Sequence, residues 1–527
     1  MAWLQPPRVL PVPARTGPEG PPRSFQVEPR LGPPPSQTSP RWVREQNRAL
    51  LYGPFPSGGL ARGTSDPSLI LDGDAEVRDL ALARIRATGS SVVRIPVEWH
   101  YILGPDPPAG FDASDPASPA YDFTAVDAAV RDAVASGLTP LLVVTRAPSF
   151  AEAPGRWPYA YPGSWAPDPS AFAEFATAVA RRYSGDFPDP LRPGLDLPRV
   201  RLLEAWNEPN LSRYLEPQWI VEHGRWIAFS PLLYRQLLNA FYAAVKAVEP
   251  SDVVIAAGIA PDGQPAGVGR MTPVRFLRAM LCLEGAAHAS CTDPPHFDVL
   301  AFHPLSFESP DHPAASSEDV AISDIGKVTS LLAQAERKGT ALPRVRKPVW
   351  VTELNWESDP PAAEGVPGRL QAQWISRALH RLWVAGVQLA AWEFLVDPYP
   401  GVALQTPTGG LEDIPRPSGL YSAGADGDPQ SAQPKPFLQG FTLPFDPLRV
   451  NSRQVRVWAL LMHSRQSLAL QRQAHAGGAW LTVAHLRADR YGVLNVLVRL
   501  RGAATLRVQS GGLASAPAVV PAGRSQL

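Results

Sequence analysis

The sequence predicts an α/β protein, namely a (β/α)₈ barrel followed by a small C-terminal all-β domain that resembles a sandwich. From about residue 70 onward, short β-branched runs alternate with longer segments of helical period, the pattern of parallel βα units. After Phe441, short strand-like runs are separated by glycine or charged turns. The 527 residues, 45% apolar and 19% charged, suffice for one large barrel and an accessory unit. The predicted boundaries are a proline-rich segment at 1–40, the barrel at 41–441 and the β domain at 442–527.

Seven of the eight barrel strands are predicted from apolar runs between helices. These strands are expected at 91–97, 140–145, 200–206, 253–258, 297–302, 349–353 and 387–394, with helices at 74–88, 124–136, 170–183, 230–248, 324–338 and 368–385. Asp74 is expected to cap the first of these helices, and Gly89 to end it. The remaining strand is placed at 42–52, although charged residues interrupt its apolar run.

An open doubly wound sheet is the alternative to a closed TIM barrel. Such a sheet usually carries a glycine-rich phosphate-binding turn after its first strand, and the loop at 53–59 lacks the G-x-G-x-x-G pattern. The barrel is therefore favoured. Strands of the β domain are expected at 468–473, 480–486, 492–500 and 504–508, as a sandwich packed on the barrel rather than an independent sugar-binding module.

Charge and hydropathy restrict the class of partner. The 49 basic side chains cancel the 49 acidic ones, so nucleic acid is not expected as a partner. The substrate is expected to be uncharged. No run approaches the roughly 18 apolar residues of a spanning helix, so no membrane span is expected. No cofactor or metal is expected either, because the sequence shows no cluster of metal ligands.

Cys282 and Cys291 are the only cysteines, and they could close a small loop as a disulfide. Because disulfides persist mainly in oxidising compartments, this pairing favours secretion, whereas two free buried thiols are the alternative. Residues 1–40 contain no apolar core of a signal peptide. Export would therefore need another signal or a different start, and a cytoplasmic location remains the other interpretation.

Two glutamates lie at the ends of predicted strands: Glu208 in LEAWNEPNL and Glu353 in VWVTELNW. Catalytic groups of (β/α)₈ barrels lie at these strand ends, and the ends of the fourth and seventh strands face each other across the axis. Two carboxylates placed in this way can hydrolyse a glycosidic bond, because one protonates the leaving oxygen while the other stabilises or attacks the sugar carbon. Either glutamate alone would equally fit a salt bridge or a helix cap. The pair predicts glycoside hydrolysis.

The run Asn207-Glu208-Pro209-Asn210 resembles the acid/base motif of family 39 in glycoside hydrolase clan A, and residues 352–356 (TELNW) resemble its nucleophile segment. The resemblance covers about residues 42 to 441, and the whole chain also resembles actinobacterial glycosidase-like proteins. It implies a retaining hydrolase that cleaves β-linked neutral glycans or glycosides by double displacement. Glu353 would be the nucleophile, Glu208 the general acid/base, and Asn207 the donor to the sugar 2-hydroxyl.

The same resemblance implies binding roles for Arg94, His303 and Trp392. Arg94 would hold Glu353 ionised, His303 would donate a hydrogen bond to a hydroxyl or carboxylate, and Trp392 would lie under the sugar ring. Trp356 and Trp165 belong to a group of loop aromatics expected to form sugar subsites or to pin the loops.

One departure from the family pattern concerns a tyrosine. Related enzymes carry it two residues after the strand-six histidine, where this chain has Leu305. Tyr399 or Tyr421 could replace it from a loop. Two other functions fit the same residues, a non-catalytic carbohydrate-binding protein and a transglycosidase, and the sugar, the linkage and the oligomeric state are left open.

Overall fold

A closed barrel of eight parallel strands forms the centre of the computed structural model, which describes residues 40–52, 55–104, 107–108, 110–284, 291–306, 308–398, 416–473, 475 and 477–523. The strands are β1 (Ala61–Ser65), β2 (Val92–Glu98), β3 (Thr139–Thr145), β4 (Leu202–Ala205), β5 (Val253–Ile259), β6 (Val299–Phe302), β7 (Val349–Leu354) and β8 (Leu389–Glu393). They follow one another around the barrel, and β8 closes on β1 by pairing Leu389 with Ala61. The predicted barrel is confirmed.

Helices separate these strands and cover the outside of the barrel. They are α1 (Pro40–Tyr52), α2 (Ala75–Ala87), α3 (Thr124–Ala135), α4 (Pro169–Arg182), α5 (Ser230–Val248), α6 (Pro273–Met280), α7 (Gly326–Lys338), α8 (Gly368–Val384) and α9 (Pro436–Thr442), with short helical turns at Pro67–Ile70 and Trp99–Ile102. The Asp74 side chain accepts the Glu76 backbone N–H and so caps α2 as expected. Gly89 follows α2 with a φ of 82°, a left-handed conformation that glycine adopts without strain.

The prediction for the first barrel strand is wrong. Residues 42–52 lie within helix α1, where Arg44, Glu45 and Arg48 are exposed and Leu50 and Leu51 are buried, as a helical period requires. The true strand, β1, has the sequence ARGTS, which contains no apolar run. Its Arg62 is buried, and the guanidinium donates hydrogen bonds to the backbone carbonyls of residues 441 and 442, which offset the cost of burying it.

The C-terminal region forms two antiparallel sheets. Strands β9 (Phe445–Asn451), β10 (Gln454–Leu460) and β13 (Val493–Arg499) form one; β11 (Ser467–Gln473), β12 (Trp480–Arg487) and β14 (Ala504–Ser510) form the other, with the short strands Leu513–Ala514 and Ala518–Val520. A shared apolar core between them includes Val457, Leu470 and Leu506. The predicted all-β region is confirmed, whereas its exact boundary at 441/442 stays a prediction.

Buried ion pairs join this region to the barrel. Asp446 at the start of β9 accepts hydrogen bonds from Arg377 (2.8 Å) and His380 (2.7 Å), both of α8. Arg377 also pairs with Asp311, and the His380 ring stacks on Trp458 at 4.8 Å. Burial raises the pKa of Asp446, but Arg377 and His380 outweigh burial and hold that pKa far below the ordinary range.

No helix among the described residues combines the length and apolar character needed to cross a bilayer. The segment predicted at 1–40 lies outside the described residues except for its last residue.

Candidate active site

The carboxyl ends of β2, β4, β6 and β7 bring five of the predicted site residues together. Arg94 is on β2, Asn207 and Glu208 follow β4, His303 follows β6, and Glu353 is on β7. One side-chain donor atom from each of Glu208, His303 and Glu353 lies within 4.8 Å of those from the other two. The two glutamates, which are distant in sequence, therefore share one pocket.

Arg94 connects the two sides of this pocket through three hydrogen bonds. Its Nε donates to Glu204 Oε2 (2.8 Å), Nη1 to Glu353 Oε1 (2.6 Å) and Nη2 to Asn207 Oδ1 (2.7 Å). Because Asn207 Oδ1 is taken by Arg94, Nδ2 is the atom of this amide that can donate to a ligand. Glu204, which is fully buried, is a residue that sequence reasoning missed.

His303 lies between the two glutamates. Its Nδ1 is 3.1 Å from Glu208 Oε1 and 3.2 Å from Glu353 Oε2, and its Nε2 is 3.0 Å from Thr352 Oγ1. The Thr352 hydroxyl donates to Glu204 Oε1 at 3.2 Å, so its oxygen accepts from His303 Nε2. With both carboxyl groups ionised, Nδ1 is a donor as well, and the ring is then the imidazolium form.

The pKa of His303 agrees with this hydrogen-bond pattern. Burial alone would lower this pKa, but the negative charges of Glu353 and Glu208 raise it overall. Fully buried, His303 contacts protein groups and has no surface for a substrate. The hydroxyl and carboxylates that it meets are therefore those of the protein.

Gly258 on β5 makes room for His303. A Cβ atom at this position would lie 1.9 Å from His303 Nε2, so no other residue fits without moving the ring. The Gly258 N–H donates to Glu204 Oε1 (2.9 Å), and its carbonyl accepts the Glu208 N–H (3.0 Å). Gly258 is a second residue that sequence reasoning missed, and it positions three members of the site.

The backbone that presents Glu208 is strained. Trp206 and Glu208 have φ values of 78° and 37°, in the left-handed region that residues other than glycine rarely adopt. The Trp206 N–H bonds to the Val144 carbonyl at 2.8 Å, which helps to hold this conformation. This turn directs a side chain at the end of β4 into the pocket.

Burial raises the pKa of Glu353, and the positive charges of His303 and Arg94 offset this only in part. Arg94 acts in the expected direction, since its charge lowers the pKa of Glu353, but this effect is smaller than the effect of burial. The nearby carboxylates of Glu208 and Glu204 add to the rise that burial causes. Burial and the charges of Glu353 and Glu208 also raise the pKa of Glu393, at the end of β8, well above its ordinary value.

Glu208, His303 and Glu353 could also hold a divalent cation, since their donor atoms are close enough together. A metal would require a neutral His303 with a free ring nitrogen. Both nitrogens already have partners, and Glu353 Oε1 receives Arg94. The donor set fits the observed ion pairs better than it fits a cation.

The three predicted tryptophans do not present open ring faces. Trp392 is fully buried, donates from Nε1 to the Ser418 carbonyl (2.9 Å) and packs on Phe437, so it cannot stack under a sugar ring as expected without rearrangement. Trp356 is 3% and Trp165 is 5% exposed. Trp392 is therefore a core residue, and the sequence alone does not show whether a tryptophan on a strand is buried or exposed.

Tyr421 does not replace the missing tyrosine, since its ring lies against Arg84 at 4.5 Å, and Tyr399 lies outside the described residues. Tyr214, in the loop after β4, lies near Glu208 and Glu353. Burial raises its pKa to about 12, and the charges of Glu208 and Glu353 contribute to that rise.

These observations define a (β/α)₈-barrel protein with two buried glutamates facing one pocket. Similar solved structures include a family 39 glycoside hydrolase from Bacteroides cellulosilyticus WH2, with 16% identity, a TM-score of 0.49 and coverage of 84% of this chain and 81% of that one. A family 39 enzyme from Xanthomonas axonopodis pv. citri has 14% identity, a TM-score of 0.46 and coverage of 84% and 92%. A family 30 endoxylanase from Clostridium papyrosolvens C71 has 11% identity, a TM-score of 0.43 and coverage of 84% and 95%.

Family 39 is the family that the two sequence motifs resemble. No protein-family model and no curated protein matches the chain. Similarity at such low identity says nothing about the chemistry of the site, which depends on the side chains described above.

Proposed function

We propose that the protein is a retaining glycoside hydrolase that cleaves β-glycosidic bonds of a neutral glycan or glycoside. The observation that carries this proposal is the closeness of the two glutamates, with carboxylate oxygens within 4.8 Å of each other. Retaining enzymes place their carboxyl groups about 5 to 5.5 Å apart, whereas inverting enzymes need about 6.5 to 9.5 Å to admit a water molecule. The observed spacing supports double displacement.

Glu353 is proposed as the nucleophile and Glu208 as the general acid/base. Both glutamates keep a small exposed fraction, 7% and 8%, so an incoming sugar can touch them. Glu208 first protonates the leaving oxygen while Glu353 forms a bond to the anomeric carbon, and Glu208 then takes a proton from the water that cleaves this bond. Arg94 contacts Glu353 and not Glu208, in keeping with the ionised partner being Glu353.

His303 and Asn207 support these two steps from fixed positions. The His303 cation faces both carboxylates and lowers the pKa of Glu353 against the effect of burial. Asn207 Nδ2 is proposed to donate to the sugar 2-hydroxyl, a hydrogen bond that strengthens as positive charge develops on the ring.

Leu305, at the position where the family pattern has a tyrosine, favours a second candidate, a carbohydrate-binding protein without turnover on the same barrel. Binding without turnover over a broad set of glycosides, across the pH range in which Glu353 ionises, would support that candidate.

Secretion is proposed from the bond between Cys282 and Cys291, whose Cα atoms are 5.8 Å apart. This pair follows α6 on the outside of the barrel, and residues 285–290 between the two cysteines lie outside the described residues.

The proposed reaction is tested by the configuration of its first product. Aryl β-glycosides and plant and microbial polysaccharides would be screened, and the anomer released first would be identified by proton NMR before mutarotation. The β-anomer is expected. An α-anomer would exclude the retaining mechanism, and the absence of turnover with every substrate would favour the binding protein.

A further inference from the structure

A shallow cavity of about 560 Å³, largely open to solvent, lies away from the catalytic pocket, between the β region and the segment that leads into β1. Its lining includes Arg465, Arg487 and Arg490, together with Tyr491 and Ser57. Because Ser57 precedes β1, the cavity lies near the amino-terminal ends of the barrel strands, opposite the glutamates. This volume falls within the range of small-molecule sites, about 300 to 1,000 Å³.

Hydrogen bonds within the backbone fix the frame of this cavity. The Arg465 N–H donates to the Asp489 carbonyl (2.7 Å), and the Ala488 N–H donates to the Gln466 carbonyl (3.0 Å). Arg487 Nε donates to the Arg465 carbonyl (2.9 Å), which sets the direction of its guanidinium. These bonds hold the two segments that line the cavity together.

The lining carries more positive than negative charge. Asp489 is its one carboxylate, and Asp489 Oδ1 accepts the backbone N–H groups of Tyr491 (2.7 Å) and Val493 (2.9 Å). Within the part of the chain that the structure describes, none of the three arginines forms an ion pair. Because three arginines line the cavity, an anion bound there would be attracted by three positive charges.

The β region also contributes an aromatic side chain to the same cavity. Tyr491 is 42% exposed, and Arg490 lies over its ring at 4.8 Å. A Cβ atom at Gly59 would approach Tyr491 Cβ to 2.9 Å, so the segment before β1 holds the tyrosine close. An aromatic ring beside guanidinium groups suits a ligand that has both a ring and a negative charge.

We propose that this cavity binds a sugar-sized ligand carrying a phosphate or sulfate group. The guanidinium groups of Arg465, Arg487 and Arg490 would donate to the oxyanion, and Tyr491 would contact the ring. The site is separate from the proposed catalytic pocket and does not depend on glycosidase activity. It adds an anion-recognition function to a chain whose formal net charge is zero.

The full chain is titrated by isothermal calorimetry at low and constant ionic strength with glucose 6-phosphate, glucose 6-sulfate, inorganic phosphate and glucose. Saturable binding of at least one of the two charged sugars, tighter than that of inorganic phosphate, is expected, and glucose should not bind. The phosphate and sulfate arms show which oxyanion the site prefers. Equal affinity for glucose, or no saturable binding of either charged sugar, would overturn the proposal.

Substitution locates the site. Arg487→Gln and Arg490→Gln are each expected to weaken binding by about tenfold, since each removes a charge-assisted donor. Arg499→Gln, at the far end of β13 and about 20 Å along the strand, removes the same charge and should leave affinity unchanged. Equal weakening by Arg499→Gln would show a general charge effect. Arg490 makes no hydrogen bond to the frame among the described residues, so its variant tests the proposal even if Arg487→Gln disturbs folding.

Discussion

Substitution of Gly258 by alanine is the sharpest perturbation that the pocket offers. The added methyl group would lie 1.9 Å from His303 Nε2, so the imidazole must move. Moving it breaks contacts of 3.0 to 3.2 Å with Thr352, Glu208 and Glu353. If one charge-assisted bond of about 1.5 to 3 kcal/mol is lost from the transition state, kcat/KM falls about 10- to 150-fold.

The assay compares kcat/KM on whichever aryl β-glycoside is cleaved, together with the melting temperature. Gly63→Ala is the matched control, because it crowds a neighbouring barrel strand (3.1 Å to Ala391 Cβ) away from His303. It should lower stability while keeping kcat/KM. His303→Ala removes the same contacts without a clash and should lose activity to a similar extent. Full activity in a folded Gly258→Ala protein would refute this reasoning.

Three further results are expected. Arg94→Gln should move the acidic limb of the kcat/KM profile to higher pH by about one to three units, because Glu353 must be ionised to react and loses a positive neighbour that lowers its pKa. Asp446→Asn should destabilise the fold by about 3 to 5 kcal/mol at neutral pH, measured by urea unfolding. Because the folded pKa of Asp446 is lowered, its contribution is present above the unfolded pKa and is lost as pH falls, so wild type and variant should converge in acid. Replacing Cys282 and Cys291 by serine should cost about 2.5 kcal/mol, and the wild type should lose that amount on reduction.

Each of these predictions has its own contradiction. An unchanged acidic limb in the Arg94 variant would mean that Glu353 does not set it. Asp426→Asn, an exposed turn substitution, is the control for Asp446 and should leave stability unchanged. A wild-type protein that titrates with two free thiols would remove the basis for the proposed secretion.

The parts of the fold that sequence predicted were those in which burial dictates composition. Strands β2 to β8 are mainly apolar because both faces of the sheet are covered, so they can be recognised in the sequence as apolar runs. Strand β1 is different, since Arg62, Thr64 and Ser65 are buried and polar and find partners only in distant segments. The sequence pattern cannot show such partners, so it favours the more apolar segment 42–52, which is helix α1, over the polar segment that forms β1.

The candidate site divides in the same way. Glu208 and Glu353 could be predicted because each follows an apolar strand directly. Glu204 carries a signal too, a charge within the apolar run of β4, but its role depends on Arg94 reaching it from β2. Gly258 gave no signal, because its importance lies in the space that His303 occupies.

Energetics also limited the sequence prediction. Arg94 was correctly expected beside Glu353, but the direction of the pKa shift depends on burial and on all the nearby carboxylates, which only coordinates supply. Whether a tryptophan face is exposed also depends on packing that the sequence does not show, as the complete burial of Trp392 illustrates.

The proposed catalytic pairing of Glu208 and Glu353 is tested most directly by replacing each with alanine and measuring turnover of an activated aryl β-glycoside with and without azide. Glu353→Ala should be inactive, and azide should restore turnover in Glu208→Ala with formation of a β-glycosyl azide. Glu222→Ala, an exposed glutamate in the hairpin after β4, should behave as wild type. Full activity in either Glu208→Ala or Glu353→Ala would contradict the assignment.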